Sequence, residues 1–463
     1  MKKLIAFIAA VSLSSVAFAS PATDLFNQAA QFLETQYFGP STADLKALSE
    51  LYRAKLTEAC APTPDTCGYD KAETLIAAML RELQDGHAYY LNAEAVRAEQ
   101  ANRSGQNTSP SPRVGFSHRG FTDGTGKFVT YDRLISNVLP GAPADKAGIK
   151  YGDRWIGVNG TLFSGFSSDE SYNAFFTDFS NRIRTGETVT MNLVRGVERV
   201  RVDIGVKGEI VNLSQVPTLE MRPDGVAVIT LRDYQVGGVG QRLHDLLREA
   251  ISKGAKGVIY NMRGNGGGSA YEMLVAVGAF LPNVEPFRFV PRYNAERDTV
   301  EFGYSVDAAF NRPVGGAARV AIRVRNPALY SGPLVVLVDG GCASGCEYFS
   351  TYMQRAKRAQ VIGESTAGVG NSNTARFGLV NGAALGIPTY RAFWADGTGL
   401  PAKITPDVLT INYELELLNT GRDLLLDKAL ETLATPPAPT VAIPAALEGI
   451  APLGRVYGFS SAF

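Results

Sequence analysis

A serine in a turn of small residues is the first candidate for chemistry. An apolar run at 334–338 is followed by small residues at 339–346, among them Ser344, and then by an amphipathic stretch. A strand, turn and helix in this order would place Ser344 at a helix N-terminus, where free N–H groups favour an alkoxide or oxyanion. Taken alone, the position fits a helix cap better than a nucleophile.

A glycine-rich loop at 264–268 is the second candidate. It follows the apolar run 257–260 and precedes a helical run that starts at Tyr271. Glycines let the backbone turn sharply and leave its N–H groups open to an anion or a developing oxyanion. A plain tight turn is the alternative, and a phosphate-binding loop is disfavoured because no Gly-Lys-Ser/Thr follows.

The four cysteines form two closely spaced pairs. Cys60 and Cys67 bracket a Pro-rich loop between two helical patterns, so we predict a disulfide there. Cys342 and Cys346 lie two residues on either side of Ser344, a spacing of one helical turn. They predict either a disulfide that fixes the turn or two buried thiols.

Composition and the first residues indicate the class of protein and its compartment. The chain has 463 residues, 45% apolar and 19% charged, with 45 basic and 45 acidic side chains. This balance predicts several globular domains and gives no reason to expect nucleic acid or an anionic membrane as partner. Residues 1–19 read as a signal peptide cleaved before Ser20, which predicts a periplasmic or secreted protein. The apolar run is too short for a retained anchor, and no later segment could span a membrane.

The periodicity of the chain divides it into parts. Apolar residues at helical spacing are followed by a polar, Gly- and Pro-containing segment, then by short strands, then by strands alternating with helices. The strands of that last part are continuously apolar, which predicts an α/β layer buried on both faces. The predicted parts are a signal peptide 1–19, a helical domain 20–100, a linker 101–112, a β-rich domain 113–208, an α/β core 209–415, and a helix with a Pro/Ala-rich tail 416–463.

The two loops together resemble the core of the C-terminal-processing (tail-specific) and tricorn-like serine peptidases. The resemblance rests on Asn-x-Gly-Gly at 265–268 and Ala-Ser-x-x-Glu at 343–347, and it covers about 210–415. It implies a spiral α/β core of crotonase/ClpP type. The segment 138–160, with Leu-Pro-Gly-Ala-Pro-Ala and later turn glycines, looks like the PDZ domain that these proteases carry. Val114, Gly115 and Phe116 then resemble its carboxylate-binding loop, which captures a chain end.

The resemblance assigns roles to named residues. It implies Ser344 as nucleophile and backbone N–H groups of Gly345, Gly267 and Gly266 as the oxyanion hole. In the processing-protease branch the base is the lysine of a Thr-x-Gly-Lys motif, but here position 369 is valine. Lys403 and Lys357 are the lysines that remain as alternatives.

A histidine is therefore the expected base. The chain has three, and His87 in Asp-Gly-His resembles the Asp-x-His motif of the tricorn-like branch. His118 lies near the start of the PDZ-like segment, and His244 is predicted on a surface helix. For the acid that orients the histidine, Asp396 is the first choice, with Glu364 and Glu347 behind it.

The resemblance implies a serine endopeptidase without cofactor or metal that acts on protein or peptide substrates. A catalytically inactive protein that binds peptides or serves as a scaffold on the same fold is the alternative. An acyl hydrolase of small esters ranks last, since it leaves the PDZ-like segment unexplained. Oligomeric state and natural substrate do not follow from the residues.

Overall fold

The computed structural model describes residues 20–103, 111–122, 128–211, 216–410 and 413–434. The predicted signal peptide, most of the predicted linker and the Pro/Ala-rich tail lie outside the described residues. Within the described ranges, no helix is both long and apolar enough to cross a bilayer. The helices and sheets form the mixed α/β fold that the sequence predicted.

The N-terminal region consists mainly of helices, and the first three each pack one face inward. The elements are α1 (Pro21–Gln36), α2 (Leu45–Cys60), α3 (Tyr69–Glu82), β1 (Tyr89–Leu91) and α4 (Ala93–Arg103). Side chains of Ser20 and Asp44 accept backbone N–H groups at the starts of α1 and α2, which satisfies donors that have no partner inside the helix. The Cys60–Cys67 disulfide joins the end of α2 to the start of α3.

A β-rich region with two helices follows. Its elements are β2 (Phe116–Thr122), β3 (Phe128–Val138), α5 (Pro143–Lys146), β4 (Arg154–Val158), β5 (Thr161–Leu162), α6 (Asp169–Arg184), β6 (Thr188–Arg195) and β7 (Val200–Lys207). The strand order is β2-β3-β4-β6-β7, with β5 paired to β4. Trp155 lies at the centre of its core and contacts Phe163, Phe176 and Phe179. The short strands predicted for this segment are confirmed.

The remaining elements form two further sheets with their helices. In chain order they are β8 (Thr218–Met221), β9 (Val226–Thr230), α7 (Val239–Ser252), β10 (Gly257–Asn261), α8 (Ala270–Gly278), β11 (Asn283–Pro291), α9 (Ala295–Asp298), β12 (Val300–Ser305), β13 (Ala308–Pro313), β14 (Arg319–Arg323), β15 (Leu334–Val338), α10 (Gly345–Arg355), β16 (Gln360–Gly363), β17 (Ser372–Gly378), β18 (Ala384–Trp394), β19 (Val408–Leu409), α11 (Tyr413–Thr420) and α12 (Leu424–Ala434).

The mostly parallel sheet carries the two candidate loops. Its strand order is β19-β16-β15-β10-β9-β8, and only β8 runs antiparallel to its neighbour. Every residue of β10 and β15 is buried, as their continuous apolar sequences predicted. Because β10 and β15 are parallel neighbours, their carboxyl ends meet at one edge. The glycine-rich loop and the serine turn leave the sheet side by side at that edge.

An antiparallel sheet, which the sequence did not predict, joins the N-terminal helices to the core. Its order is β1-β18-β11-β12-β13-β14, with β17 also paired to β18. Leu385 and Ile387 of β18 belong to the same buried cluster as the inner faces of α1, α2 and α3. The segment between α3 and β1 is therefore anchored on the core, and it contains His87.

Candidate active site

A cleft of about 1010 Å³ brings together the main candidates of the sequence. Ser344, His87, Gly266 and Gly268 line it, although they come from three separate segments of the chain. Val369, which stands where the processing proteases have lysine, also lines it. A serine hydroxyl, an imidazole and the backbone of the glycine-rich loop thus share one concave site.

Ser344 occupies a backbone conformation that few residues adopt. It precedes the first residue of α10 and has φ 51° and ψ −115°. A non-glycine residue at positive φ and this ψ is strained by about 1–3 kcal/mol, and such strain persists only where surrounding contacts hold it. The turn directs a partly exposed serine into the cleft at the N-terminus of a helix.

The buried carboxylate of Glu347 accepts hydrogen bonds that hold this turn. Its Oε2 accepts the N–H groups of Ser344 at 2.8 Å and Val369 at 3.0 Å. Its Oε1 accepts the hydroxyl of Thr366 at 2.6 Å and the N–H of Gly368 at 2.7 Å. Burial raises the pKa of Glu347, and these four donors oppose that shift. Glu347 thus links the backbone of Ser344 to the loop 366–369.

Gly267 lets the glycine-rich loop lie directly against the serine turn. A Cβ atom at this position would lie 2.6 Å from the carbonyl oxygen of Ala343, 2.6 Å from the nitrogen of Gly345 and 2.7 Å from Cβ of Ser344. No side chain fits in that space. Its φ of +85° also favours glycine.

The free backbone donors differ in part from those that the resemblance implied. The N–H of Gly267 donates to Oδ1 of Asn265 at 2.9 Å, and the N–H of Gly266 donates to the carbonyl of Arg232 at 3.3 Å. Across the described ranges, the N–H groups of Gly345 and Gly268 have no acceptor. Asn side chains often bond the backbone two residues on, so Asn265 was a sequence signal for this difference.

His87 is held by contacts on both its backbone and its ring. Asp85 accepts the N–H of His87 at 2.9 Å and the hydroxyl of Tyr37 at 2.8 Å. The ring Nδ1 lies 2.8 Å from Oγ of Ser372, the first residue of β17. Burial lowers the pKa of His87, and the charge of Asp85 opposes that shift. In the described part of the chain, Nε2 has no hydrogen-bond partner, and His87 lines the cleft.

Position 369, where the Thr-x-Gly-Lys motif of the processing proteases has lysine, is an apolar valine in this chain. A Cβ atom at Gly86 would lie 3.1 Å from Cγ1 of Val369, so this valine packs beside the histidine segment. The backbone of the Thr-x-Gly motif remains in place through Glu347. The motif therefore has no basic side chain in this chain, and the segment that it faces carries the imidazole of His87.

Asp396 lies away from His87. Its carboxylate pairs with Arg355 at 3.3 Å and accepts the N–H of Thr398 at 2.8 Å. It does not line the cleft. Glu364 bonds Arg119 at 2.9 Å. None of the three predicted acids contacts the imidazole in the described residues, and the hydroxyl of Ser372, which no sequence pattern indicated, does so instead.

The other two histidines lie outside the cleft. The side chain of His118 is exposed, but its ring contacts Phe116, Trp155 and Phe176, and desolvation, with a smaller effect of Arg133, lowers its pKa to about 4. His244 is fully buried, so the prediction of a surface position was wrong. Its two ring nitrogens bond backbone groups of Val275 and Ala328, because helix α7 turns this face toward α8.

A cluster of charged side chains links the glycine-rich loop to the serine turn. Oδ1 of Asp339 accepts the N–H of Gly264 at 2.7 Å and of Gly341 at 2.9 Å. Arg119 of β2 reaches the same aspartate and also Glu364 and Glu414. The strand β2 is thereby tied to the turn that precedes Ser344.

Both predicted disulfides are formed in the structure. The sulfur atoms are 1.98 Å apart in Cys60–Cys67 and 2.04 Å apart in Cys342–Cys346. The second pair encloses the strained Ser344, and both of its cysteines are buried. Of the two readings left open by the sequence, the structure has the bonded pair.

Removal of the Cys342–Cys346 bond is expected to slow catalysis as well as to destabilise the protein. Alanine at both positions should lower kcat about tenfold, because the turn around Ser344 loses one of its constraints. Alanine at Cys60 and Cys67 is the matched control. Each pair should lower the free energy of unfolding by roughly 2 kcal/mol in thermal or urea unfolding. Equal kcat values for the two double variants would contradict a role in positioning.

Comparisons with known proteins match both parts of the molecule. Residues 225–410 match the sequence profile of peptidase family S41, and residues 108–175 match that of the PDZ domain. The carboxy-terminal processing protease CtpA of Bacillus subtilis (strain 168) is 27% identical over 277 residues, which are 59% of this chain and 52% of that protein. A probable CtpA-like serine protease of Staphylococcus aureus (strain COL) is 25% identical over 353 residues, 75% of this chain and 62% of that protein.

The chain thus spans between about half and two thirds of the length of these curated relatives. Solved structures agree on the fold. A putative S41 protease from Bacteroides fragilis NCTC 9343 superposes with a TM-score of 0.52 at 16% identity, covering 88% of this chain and 97% of that one. Mature CPAF gives 0.51 at 13% identity, covering 89% and 98%. Residues 225–410 therefore form a domain of peptidase family S41, and a PDZ domain at 108–175 precedes it.

Proposed function

We propose that this chain is an exported serine endopeptidase that cleaves peptide bonds of proteins with Ser344 as nucleophile and His87 as base. The observation that carries the proposal is the shared cleft. It places a strained serine, a partly desolvated imidazole with a free Nε2, and open backbone donors around one space. The apolar Val369 beside the histidine segment supports histidine over lysine as the base.

In the proposed reaction, Oγ of Ser344 attacks the peptide carbonyl while Nε2 of His87 accepts the hydroxyl proton. The oxyanion that forms accepts hydrogen bonds from the N–H groups of Gly345 and Gly268. Collapse breaks the C–N bond, and His87 returns the proton to the leaving amine. A water molecule, deprotonated by the same imidazole, then hydrolyses the acyl-enzyme and restores Ser344. Each oxyanion donor contributes on the order of 3 kcal/mol to lowering the barrier.

We assign the orienting role to Ser372 in place of Asp396. When Nε2 accepts a proton, Nδ1 must donate, and Oγ of Ser372 is the atom in hydrogen-bonding range. A hydroxyl fixes the ring but carries no charge. Asp85 supplies the negative field that favours the imidazolium, since its carboxylate raises the pKa of His87 against the larger effect of burial.

The PDZ domain supplies a second peptide site in this proposal. The carbonyl groups of Val114 and Gly115 accept N–H groups of Ala144 and Leu139. Their own N–H groups have no acceptor in the described part of the chain, and Gly115 has φ +81°. Free amides in such a loop can bind a terminal carboxylate, which supports the loop predicted at Val114, Gly115 and Phe116.

The test is cleavage of an unfolded protein such as casein by the chain without its first 19 residues, followed from acidic to alkaline pH. We expect cleavage without added metal or nucleotide. His87 acts only when neutral, and burial lowers its pKa. The apparent pKa of the acid limb in the pH profile of kcat/KM should therefore lie below the ordinary histidine pKa of about 6.5. A fluorophosphonate should add covalently to the tryptic peptide that contains Ser344.

Two results would overturn the proposal. An acid limb with an apparent pKa at or above the ordinary histidine pKa would contradict His87 as the desolvated base. Absence of cleavage together with tight binding of peptide C-termini would make the chain a recognition protein on a peptidase fold. Export is tested separately, by the N-terminal sequence of the protein recovered from the periplasm or medium.

A further inference from the structure

Asn265 lies at the centre of the glycine-rich loop and is fully buried. Buried amide side chains need hydrogen-bond partners for both their oxygen and their nitrogen. Oδ1 of Asn265 accepts the N–H of Gly267 at 2.9 Å, and Nδ2 donates to the carbonyl of Leu231 at 3.2 Å. Its backbone carbonyl accepts the N–H of Ala343 at 2.9 Å. This one residue therefore connects the loop to itself, to the segment after β9 and to the serine turn.

Two amides of the loop are engaged, and the next one is open. The N–H of Gly266 donates to the carbonyl of Arg232 at 3.3 Å, and the N–H of Gly267 donates to Asn265. Among the residues that the structure describes, the N–H of Gly268 has no acceptor, and Gly268 lines the cleft. The side chain of Asn265 thus distinguishes the amide of Gly267 from the neighbouring amide that can face a substrate.

The segment after β9 fixes the direction of the open amide. The N–H of Tyr234 donates to the carbonyl of Gly267 at 2.7 Å, and the carbonyl of Tyr234 accepts the N–H of Ser269 at 3.0 Å. In such a parallel bridge the middle residue, here Gly268, turns its own N–H away from the partner segment. A Cβ atom at Gly345 would lie 3.4 Å from the nitrogen of Gly268, so the two open donors are neighbours.

We propose that Asn265 is the positioning residue of the oxyanion hole. Its side chain engages the N–H of Gly267 and attaches the loop to Leu231, so that the N–H of Gly268 meets the substrate carbonyl beside that of Gly345. Oxyanion donors lower the barrier because they are oriented before the reaction starts, and a displaced donor loses much of that effect. The inference rests on the proposed function and adds the residue that builds its oxyanion hole.

A role in loop stability alone is the competing explanation, because Asn side chains often close turns. Asn265→Ala removes both side-chain bonds, and Asn265→Asp keeps the acceptor for Gly267 but turns an oxygen toward the carbonyl of Leu231. We expect kcat on casein to fall about 10²-fold in Asn265→Ala and at least about tenfold in Asn265→Asp, with KM little changed. Circular dichroism and urea unfolding establish the folded fraction of each variant.

Asn192→Ala is the matched control. Asn192 is also buried, accepts the N–H of Gly160 at 2.9 Å and donates to Asp203 at 2.8 Å, and it lies on β6 outside the cleft. Its alanine variant should lose stability and keep the kcat of the wild type. A loss of kcat that merely follows lost stability would appear in both alanine variants.

A peptide aldehyde separates transition-state binding from substrate binding. Oγ of Ser344 adds to the aldehyde carbon and its proton passes to His87, while the carbonyl oxygen takes the place of the oxyanion. The inhibition constant should rise in the Asn265 variants by the factor by which kcat/KM falls. The corresponding peptide amide, tested as a competitor, should bind the variants and the wild type equally.

Hydrogen exchange tests the same arrangement without a substitution. In the free wild type, the amide of Gly267 should exchange slowly, and those of Gly268 and Gly345 should exchange fast. The aldehyde should slow exchange at Gly268 and Gly345 about tenfold or more and leave Gly267 unchanged. Mass spectrometry with fragmentation to single residues provides the measurement.

The inference and the proposed function fail in different ways. Wild-type kcat in the folded Asn265 variants, unchanged aldehyde affinity, or new protection at Gly267 in place of Gly268 would overturn the inference and leave the peptidase intact. A wild type that neither cleaves casein nor binds the aldehyde would overturn the proposed function and the inference with it.

Discussion

Alanine at Ser344 or at His87 is expected to lower kcat on casein on the order of 10⁴-fold or more, with peptide binding retained. Without the hydroxyl there is no nucleophile, and without the imidazole the hydroxyl cannot lose its proton near neutral pH. The two groups act as one unit, so the double variant should be no slower than either single variant. Burst and steady-state kinetics with circular dichroism of each variant provide the measurement.

Asp396→Ala is the matched control for this pair. Asp396 is exposed, pairs with Arg355 and lies outside the cleft. Its removal should leave kcat unchanged. Ser372→Ala should instead lower kcat without raising KM. The hydroxyl of Ser372 holds the imidazole of His87 through Nδ1, and its removal frees the ring. A large loss in Asp396→Ala, with Ser372→Ala unaffected, would restore Asp396 as the orienting acid.

Lysine is the base that this experiment must exclude. Cβ of Lys403 lies 3.8 Å from where a Cβ atom at Gly368 would be, so it neighbours the loop that holds the base in the processing proteases. Lys357 follows the far end of α10, roughly 16 Å from Ser344 along the helix axis. Activity that survives His87→Ala and is lost in Lys403→Ala would contradict His87 as base.

Glu347→Ala is expected to have the second largest effect. Removing this carboxylate leaves three part-buried backbone N–H groups and the buried hydroxyl of Thr366 without their acceptor. Each unsatisfied buried donor costs about 1–3 kcal/mol, so the free energy of unfolding should fall by at least ~3 kcal/mol. Loss of its bond to the N–H of Ser344 should lower kcat about 10²-fold in the folded fraction, since small displacements of a reacting group are that costly.

Glu272→Ala separates the catalytic effect of Glu347 from the cost of removing any buried carboxylate. Glu272 is also buried, and it accepts the N–H groups of Gly238 and Gly240 at 2.7 and 2.8 Å. Burial raises the pKa of Glu272, as it does that of Glu347. Its alanine variant should lose stability and keep its kcat in stopped-flow cleavage at low temperature. Wild-type kcat in folded Glu347→Ala would show that the carboxylate serves stability alone.

Local sequence was sufficient for the turn, the loops and one of the two disulfides. Continuous apolar runs at 257–260 and 334–338 predicted buried parallel strands, and parallel neighbours end at the same edge. Small residues at 339–346 and glycines at 264–268 predicted a turn after each of these strands. The loop between Cys60 and Cys67 predicted their bond, whereas the spacing of Cys342 and Cys346 left a bond and two free thiols open. In each case the interacting groups are neighbours along the chain or on adjacent strands, so spacing carries the information.

Tertiary structure decided which distant groups face Ser344. The antiparallel sheet places the segment of His87 over the parallel sheet's edge, and Ser372 enters from β17 of the same sheet. The same packing leaves Asp396 with Arg355 and buries His244. It also gathers arginines from four segments of the chain into one cleft. These contacts join residues far apart in the chain through the docking of whole elements, and no local periodicity encodes how one element lies on another.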